Sequence, residues 1–422
     1  MKRVGALAER DFRNLYCARA FSLIGDGIVP VALAFGVLQT ENSATALGAV
    51  LAARSLTLVT FLLIGGVIAD RLPRRSLLIG SDLLRMVAQA ATAAILISRT
   101  ATVWEIAALA VVYGFGNAFF LPTSTGIIPQ TVSPGRLQQA NALISLTQNS
   151  CTIAGPVLAS LIIVTAGAGW AFAVDAVTFG ISAFFIARLP SVRQAAQPGS
   201  RFFSELREGW RAFRSRRWLL LDGMFSALGG FAVIAPFLTL GPVVAKNHLH
   251  GSVSWAAIVA AFGAGSVVGG IGLLRSVPSR PLLAAMIPPV LLAVPTGLLA
   301  IPAPTAAIAA GAFAGGFGLA IFNTLFETTV QQNIPPSLLS RVAAIDWMLS
   351  ASLLPLGQAL AGPVSAVVGI RAIFVFSAAW VVVATVAILS VRDIREFRGA
   401  VPASGDAKQD APLDVTSGPD SS

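Results

Sequence analysis

Charged side chains inside apolar stretches are the residues of this sequence that could do chemistry. Asp26 and Arg54 each lie near the middle of a long apolar segment, and Glu327 and Asp346 lie in two later ones. A charged side chain costs roughly 2.5–3.5 kcal/mol at the centre of a membrane helix, so it rarely occurs there without a binding partner or a functional role. A carboxylate can exchange a proton or hold a cation, and a guanidinium can hold an anion. Asp175, beside an aromatic cluster, is expected to shape a cavity.

Three interpretations of Asp26 and Arg54 stay open at this point: a structural ion pair, proton exchange by Asp26, and a contact with substrate only. The two residues lie at similar depth in neighbouring segments, so they can form a structural ion pair. Alternatively, burial favours the neutral form of an unpaired Asp, and Asp26 exchanges a proton while Arg54 competes with that proton or holds an anionic substrate. Glu327 and Asp346 are either proton or cation sites or polar anchors near a helix end. Candidates for an aromatic cavity wall are Phe119, Phe120, Phe231 and Phe237.

The elements that must position these residues are membrane-spanning helices. The chain has 422 residues and is 55% hydrophobic, which is far more apolar than a soluble protein of this length. About 20 apolar residues cross a bilayer, and a span must be helical because lipid does not satisfy an unpaired backbone. We therefore predict an all-α membrane protein with twelve spans, at 14–38, 44–69, 76–98, 101–127, 139–165, 169–188, 218–244, 253–275, 281–301, 304–331, 341–367 and 370–391.

The distribution of Lys and Arg predicts the orientation of these spans. Most of the 29 basic residues fall on the side of the N-terminus, whereas Arg99, Lys246 and Arg371 fall on the other side. Short cytoplasmic loops retain positive charge, so both termini are predicted to be cytoplasmic. The net charge of +10 lies in gaps between spans and not on a folded soluble face, so the expected partner is the lipid bilayer and no nucleic acid.

The chain divides into two related halves. Three motifs of the first half recur in the same order in the second: 65–78 with 269–283, 129–143 with 330–345, and 154–160 with 361–367. This duplication indicates two six-helix pseudo-repeats, an arrangement that places a substrate site where the repeats meet. The predicted domains are an N-terminal bundle, a cytoplasmic linker with an amphipathic helix, a C-terminal bundle and a disordered cytoplasmic tail: 1–188, 189–217, 218–391 and 392–422.

A charged motif of the form G-x-x-x-D-R-x-x-R-R follows the second span. Its residues are Gly66, Asp70, Arg71, Arg74 and Arg75. Together with twelve spans, inner termini and a long central loop, this motif resembles the major facilitator superfamily. The stretches FSLIGDG, SDLLR and AGPVLAS resemble its drug and siderophore exporter branch, which includes enterobactin and macrolide efflux proteins.

The resemblance implies a function and an energy source. It implies that a monomer in a bacterial inner membrane exports an amphipathic small molecule, such as a drug, macrolide or siderophore, by proton antiport and alternating access. No enzyme activity, cofactor or metal is expected. The antiporter motif of the fifth span is matched only in part, because Ala159 and Ser160 follow Gly155 and Pro156 where that motif ends in glycines. An importer or facilitator of a small metabolite and a non-transporting sensor remain alternatives.

The same motif implies a cytoplasmic gate. In this hypothesis Gly66 allows close helix approach and Asp70 makes a contact across the two halves. Asp82 and Arg85 are three residues apart and share a face of the third span, so we expect them to connect to Asp70 and its arginines. Leu274 replaces the Asp in the second copy, so the gate contact is expected in one half only.

Overall fold

The computed structural model describes residues 5–190, 202–272, 278–301 and 303–397, and these residues contain no strand. Twelve helices are long and apolar enough to cross a membrane, which confirms the predicted number. In chain order α1 to α12 are Arg10–Thr40, Ala44–Arg71, Arg74–Ile97, Val103–Thr131, Leu137–Thr165, Ala168–Ile186, Arg217–His248, Ser252–Gly272, Pro281–Ala300, Thr305–Asn333, the pair Pro336–Ser352 and Leu354–Val368, and Ile370–Ser390.

Local sequence explains where several helices begin. The Thr102 side chain accepts a hydrogen bond from the Glu105 backbone while the Glu105 carboxylate accepts one from Thr102, a capping box that starts α4. Gly167 and Gly369 precede α6 and α12 with φ of 99° and 84°. Only glycine adopts such angles readily, so the same tight turn occurs after α5 and after α11. The two halves therefore share this turn as well as their motifs.

The two halves meet mainly at one end of the bundle. We call the end that carries the start of α1 and the start of α7 the linker end, and the other the opposite end. Helix α2 packs along α11, and α5 packs along α8. A methyl group at Gly362 would lie 2.3 Å from Thr45 Cα, so the opposite-end halves of α2 and α11 are in direct backbone contact. Lys246 donates a hydrogen bond to the Leu38 carbonyl at the same end.

The segment before α1 is tied to the linker end. The Glu9 carboxylate accepts hydrogen bonds from the Ser133 hydroxyl at 2.8 Å and from Arg136 at 3.0 Å. The hydrogen bond from the Ser133 side chain is the main cause that lowers the pKa of the Glu9 carboxyl below its usual value. These contacts join the start of α1 to the loop between α4 and α5.

The linker contains a helix, Phe202–Arg214, that packs against the C-terminal half. Phe213 is fully buried, and the Arg341 guanidinium of α11 donates a hydrogen bond of 2.7 Å to Glu208. A methyl group at Gly209 would lie 2.9 Å from Arg341 Cβ. A helix is thus present where the sequence predicts the amphipathic segment, and Phe213 is buried against protein.

Three helices of the C-terminal half are irregular near the middle of the bundle. Helix α7 contains a π-helical turn at Gly230–Ile234, and α9 contains a 3₁₀ segment at Pro288–Leu292. Helix α11 is interrupted between Ser352 and Leu354. Irregular backbone at membrane depth is tolerated where it is buried in protein or lines a cavity. All three interruptions border a single cavity, which is described below. After α12 the chain forms a short helix, Arg392–Arg395, within the segment 392–422 that the sequence predicts to be a disordered tail, and the part of this segment from 398 onward lies outside the described residues.

Candidate functional site

A cavity of about 810 Å³ lies inside the C-terminal half, between α7, α9, α10, α11 and α12. Gln331 and Leu339 line it near the end of α10 and the start of α11, so it reaches the linker end. Val233 and Leu354 line it at the irregular turns described above, so it extends to the middle of the bundle. This volume falls within the range of sites that hold small molecules.

Three carboxylates face this cavity. Asp222 comes from α7, Glu327 from α10 and Asp346 from α11. Asp222 is 1% exposed, and among the described residues neither its Oδ1 nor the Oδ1 of Asp346 has a hydrogen-bond partner. Asp346 lies within electrostatic range of both other acids. The predicted candidates Glu327 and Asp346 therefore come together, and Asp222 joins them.

Aromatic rings form a continuous wall of the same cavity. Phe225 stacks on Trp380 with ring centroids 6.3 Å apart, and it contacts Phe322 at 6.2 Å. Phe322 in turn stacks on Phe326 at 6.0 Å. Trp347, next to Asp346, also lines the cavity and is 42% exposed. The cavity thus combines negative charge with flat apolar surfaces.

The four phenylalanines expected from the sequence to line a cavity do not line this one. Phe120 is buried under Arg85, and Phe237 packs against Trp255 at 5.1 Å. Phe119 contacts Phe115 inside α4. Phe120 and Phe237 thus face neighbouring helices of their own half, an orientation that depends on helix packing and that apolar composition does not reveal.

Asp26 and Arg54 are joined through a tyrosine in the N-terminal half. The Tyr113 hydroxyl of α4 donates a hydrogen bond of 2.7 Å to Asp26. The Arg54 guanidinium lies over the Tyr113 ring, 4.3 Å from its centroid. Among the described residues Asp26 and Arg54 make no direct ion pair, so the structural pair considered above is replaced by a three-residue arrangement centred on Tyr113.

Asp175 is held by polar neighbours and does not line the large cavity. It is fully buried on α6, and Gln89 of α3 donates a hydrogen bond to it. A methyl group at Gly25 would lie 1.9 Å from the Asp175 carboxylate, so the acid sits directly against α1. Gln89 also lines a small pocket with Arg54 and Tyr113. Asp175 therefore belongs to the polar interior of the N-terminal half.

Asp82 and Arg85 form a fully buried ion pair. Arg85 donates to Asp82, and the Ser182 hydroxyl of α6 donates to the same carboxylate at 2.6 Å. The Arg85 guanidinium lies between two rings, 3.8 Å from the Phe120 centroid and 4.2 Å from the Phe179 centroid. The described contacts of this pair thus connect α3 to α4 and α6.

The charged motif after α2 is described only in part. The side chains of Gly66, Asp70 and Arg71 lie outside the described residues, so the gate contact remains a prediction. Arg74 donates a hydrogen bond to the Gly126 carbonyl of α4, and Arg75 donates to the Ala187 carbonyl after α6. Both arginines therefore connect α3 to its own half.

The motif in α5 marks a close contact with α1. A methyl group at Gly155 would lie 2.5 Å from the Gly27 carbonyl carbon, and one at Gly27 would lie 2.6 Å from the Cys151 carbonyl oxygen. Pro156 follows Gly155 and is buried. Because Gly27 adjoins Asp26, this contact also fixes the depth of the acid that Tyr113 holds.

Comparison with known proteins identifies the family. The sequence pattern of the Major Facilitator Superfamily matches residues 15–354. The chain belongs to the Major Facilitator Superfamily. The resemblance inferred from its motifs is therefore confirmed, and the protein is a multi-pass membrane transporter and not an enzyme.

Two relatives of this transporter are efflux proteins. Macrolide efflux protein A of Streptococcus pyogenes is 22% identical over 399 residues, which cover 92% of this chain and 97% of that protein. The enterobactin exporter EntS of Citrobacter koseri is 24% identical over 403 residues, which cover 93% and 94%.

A solved structure shares the fold of the transporter. A bacterial homolog of the human lysosomal transporter Spinster, in an inward-facing and unoccupied conformation, matches it with a TM-score of 0.72 at 15% identity. The match covers 94% of this chain and all of that one.

Several residues of the transporter's polar interior carry little signal in the sequence. Tyr113 and Gln89 are single polar residues in apolar helices, and their partners lie on other helices. Asp222 lies five residues after the start of α7, a position typical of a polar anchor. The aromatic wall is equally hidden, because Phe and Trp are ordinary components of membrane helices.

Proposed function

We propose that the transporter is a secondary-active exporter of an amphipathic small molecule, driven by proton antiport. The observation that carries this proposal is the cavity that holds Asp222, Glu327 and Asp346 and extends from the linker end to the middle of the bundle. A carboxylate without a protein donor in a low-dielectric site is stabilised by a proton or by a cationic ligand. The efflux function of two relatives at 22% and 24% identity supports the outward direction.

Alternating access is the proposed mechanism. The halves touch at the opposite end through α2 and α11, and the Ser55 hydroxyl donates a hydrogen bond of 2.6 Å to the Gln358 side chain between them. Opening this contact and closing the linker end would expose the cavity to the other side of the membrane. We propose that the linker end faces the cytoplasm of a bacterial cell, as the basic residues predict, and that one chain suffices.

Proton exchange is assigned to two places in this proposal. In the C-terminal half, Glu327 and Asp346 exchange a proton for substrate in the cavity. In the N-terminal half, Asp26 exchanges a proton while Tyr113 and Arg54 hold it in place. Each charge that moves with the membrane potential contributes about 2.3 kcal/mol per 100 mV, so coupling to protons supplies a usable driving force.

Inverted membrane vesicles with an imposed proton gradient test the function. We expect a gradient-dependent uptake of fluorescent dyes or macrolides by vesicles containing the transporter, and its loss with Glu327→Gln or Asp346→Asn. Asp393→Asn, at an exposed acid after α12, is the matched control and should retain uptake. Gradient-independent uptake equal in both directions would instead indicate a facilitator.

A further inference from the structure

We propose that the cavity of the C-terminal half binds a lipophilic organic cation. Its positive charge lies between Asp346 and Glu327, and its apolar body lies against the wall formed by Phe225, Phe322 and Trp380. This inference rests on the export function proposed above and names its substrate class. It follows from four properties of the cavity: its charge, its unpartnered carboxylates, its lack of metal-ion geometry and its aromatic surface.

The cavity is acidic without compensation. Of the described residues that line it, three are acids and none is Lys, Arg or His. The N-terminal half differs, because its interior places Arg54 and Arg85 among its acids and Arg85 forms an ion pair with Asp82. Charges in a site of low dielectric act strongly on a ligand, so the cavity attracts cations and repels anions.

Two carboxylate oxygens of this site lack partners. Asp222 is 1% exposed, and its Oδ1 and the Oδ1 of Asp346 have no hydrogen-bond partner in the part of the chain that the structure describes. An unpaired buried carboxylate costs several kcal/mol unless it is neutralised. A proton or a cationic ligand neutralises the carboxylate, whereas an uncharged or anionic substrate does not.

The geometry disfavours a metal ion as that cation. In the described part of the chain, no three acidic, His or Cys side chains are grouped closely enough to hold a metal ion. The acids instead come from three different helices around a volume of about 810 Å³. Such a volume is typical of drug-sized ligands, and a bulky cation fills the space that separates the carboxylates.

The aromatic wall supplies the remaining recognition. The rings of Trp380, Phe225, Phe322 and Phe326 follow one another at centroid separations of 6.0–6.3 Å. Aromatic faces bind organic cations by cation–π attraction and bind apolar groups by contact. Trp347 adds a ring beside Asp346, where the charged part of the ligand lies.

A pair of probes with equal shape and opposite charge tests this inference. Radiolabelled tetraphenylphosphonium and tetraphenylborate are compared in equilibrium binding to the purified full chain, with binding to protein-free detergent micelles subtracted. We expect saturable binding of tetraphenylphosphonium only. The charge of tetraphenylphosphonium is permanent, so its affinity should increase as the pH rises and protons leave the acids that face the cavity. These acids are Asp222 of α7, Glu327 of α10 and Asp346 of α11. Helices α9 and α12 contribute no titratable residue to the described lining.

Substitutions locate the binding in the cavity. Asp346→Asn should weaken tetraphenylphosphonium binding about tenfold, the effect of losing one charge contact worth about 1.4 kcal/mol. Trp347→Leu should weaken it by a smaller factor without altering its dependence on pH. Trp104→Leu, at a ring that is 80% exposed on α4, is the aromatic control and should bind as the unaltered protein does. Retention of circular dichroism excludes loss by unfolding.

The inference is overturned if tetraphenylborate binds as well as tetraphenylphosphonium, or if Asp346→Asn and Trp347→Leu leave the affinity unchanged. This assay requires no gradient and no flux. Binding of the cation without transport in vesicles therefore contradicts the exporter function and supports the site. Dye export that tetraphenylphosphonium does not inhibit supports the exporter and contradicts the site.

Discussion

Tyr113 connects two charges that do not touch each other. Its hydroxyl donates to Asp26, and its ring lies under Arg54. One side chain thereby fixes an acid of α1 and a base of α2 from a third helix, α4. A change in the protonation of Asp26 alters the acceptor of this hydrogen bond, so Tyr113 can pass that change to α4.

Replacing Tyr113 by Phe separates these two roles. Tyr113→Phe keeps the ring under Arg54 and removes the donor to Asp26, a hydrogen bond to a charged group worth about 1.5–3 kcal/mol. We expect proton-driven dye uptake in inverted vesicles to fall about tenfold. Tyr16→Phe is the matched control, since Tyr16 shares a 2.8 Å hydrogen bond with Thr147 in the same half. Equal effects of the two substitutions would remove Asp26 from the coupling mechanism.

The buried ion pair on α3 should affect stability and not coupling. Arg85→Met leaves Asp82 fully buried without its cation, which should lower the free energy of unfolding by about 3–5 kcal/mol. Thermal unfolding of purified protein measures the change. Arg217→Met, which removes an exposed 3.6 Å contact with Asp393, should cost at most about 1 kcal/mol. The prediction is contradicted if both variants unfold at the same temperature.

The contact between the two halves at the opposite end depends on the absence of a side chain at one position of α11. Gly362 lets the backbone of α11 approach that of α2 at Thr45. A residue with a Cβ atom at this point separates the two helices. In the proposed mechanism the same helices separate at the opposite end, so we expect the size of residue 362 to set the balance between the two states.

Gly362→Ala should therefore shift the transporter away from the state described. Spin labels at Glu41 and Val367, which are both exposed near the opposite end, report the distance between the halves once Cys17 and Cys151 are replaced by Ser. We expect the population of longer distances to increase. Gly80→Ala is the control, because a methyl group there has no neighbour within 4 Å, and an unchanged distribution for both variants would refute this role of Gly362.

The helices could be predicted from the sequence, whereas much of the site could not. Span length and apolar composition are local properties, and they gave the correct number of membrane helices. Glu327 and Asp346 stood out because a charged side chain in an apolar membrane helix is energetically costly and is therefore usually functional. Tyr113 did not stand out, since its role depends on which helix faces it. The depth and rotation of neighbouring helices are set by packing, which no single segment encodes.

The two halves move as units in the proposed mechanism, and a reversible cross-link tests that motion. Ser55 of α2 and Gln358 of α11 are hydrogen-bonded across the halves. Ser55→Cys combined with Gln358→Cys, without the native cysteines, should form a disulfide under oxidation and stop transport. Reduction should restore transport, and each single variant should be insensitive to oxidant. Continued transport by the cross-linked protein would exclude opening at this contact.

The charged motif after α2 predicts an asymmetric gate, because Leu274 replaces its Asp in the second copy. From the motif after α2 we expect Asp70→Asn to impair transport at normal expression, and we expect Leu274→Ala at the corresponding position to have little effect. Vesicle uptake normalised to protein amount measures both. Equal effects would reduce the motif to a signal for membrane orientation.

The linker helix has a consequence for dividing the gene. Its buried Phe213 and its Glu208 contact to Arg341 assign it to the C-terminal half, although it precedes α7 in the chain. Two separately expressed fragments should therefore reassemble when the break lies before Phe202, so that the second fragment keeps this helix. A break after Arg214 leaves this helix on the N-terminal fragment and should uncover Arg341 of α11, five residues before Asp346.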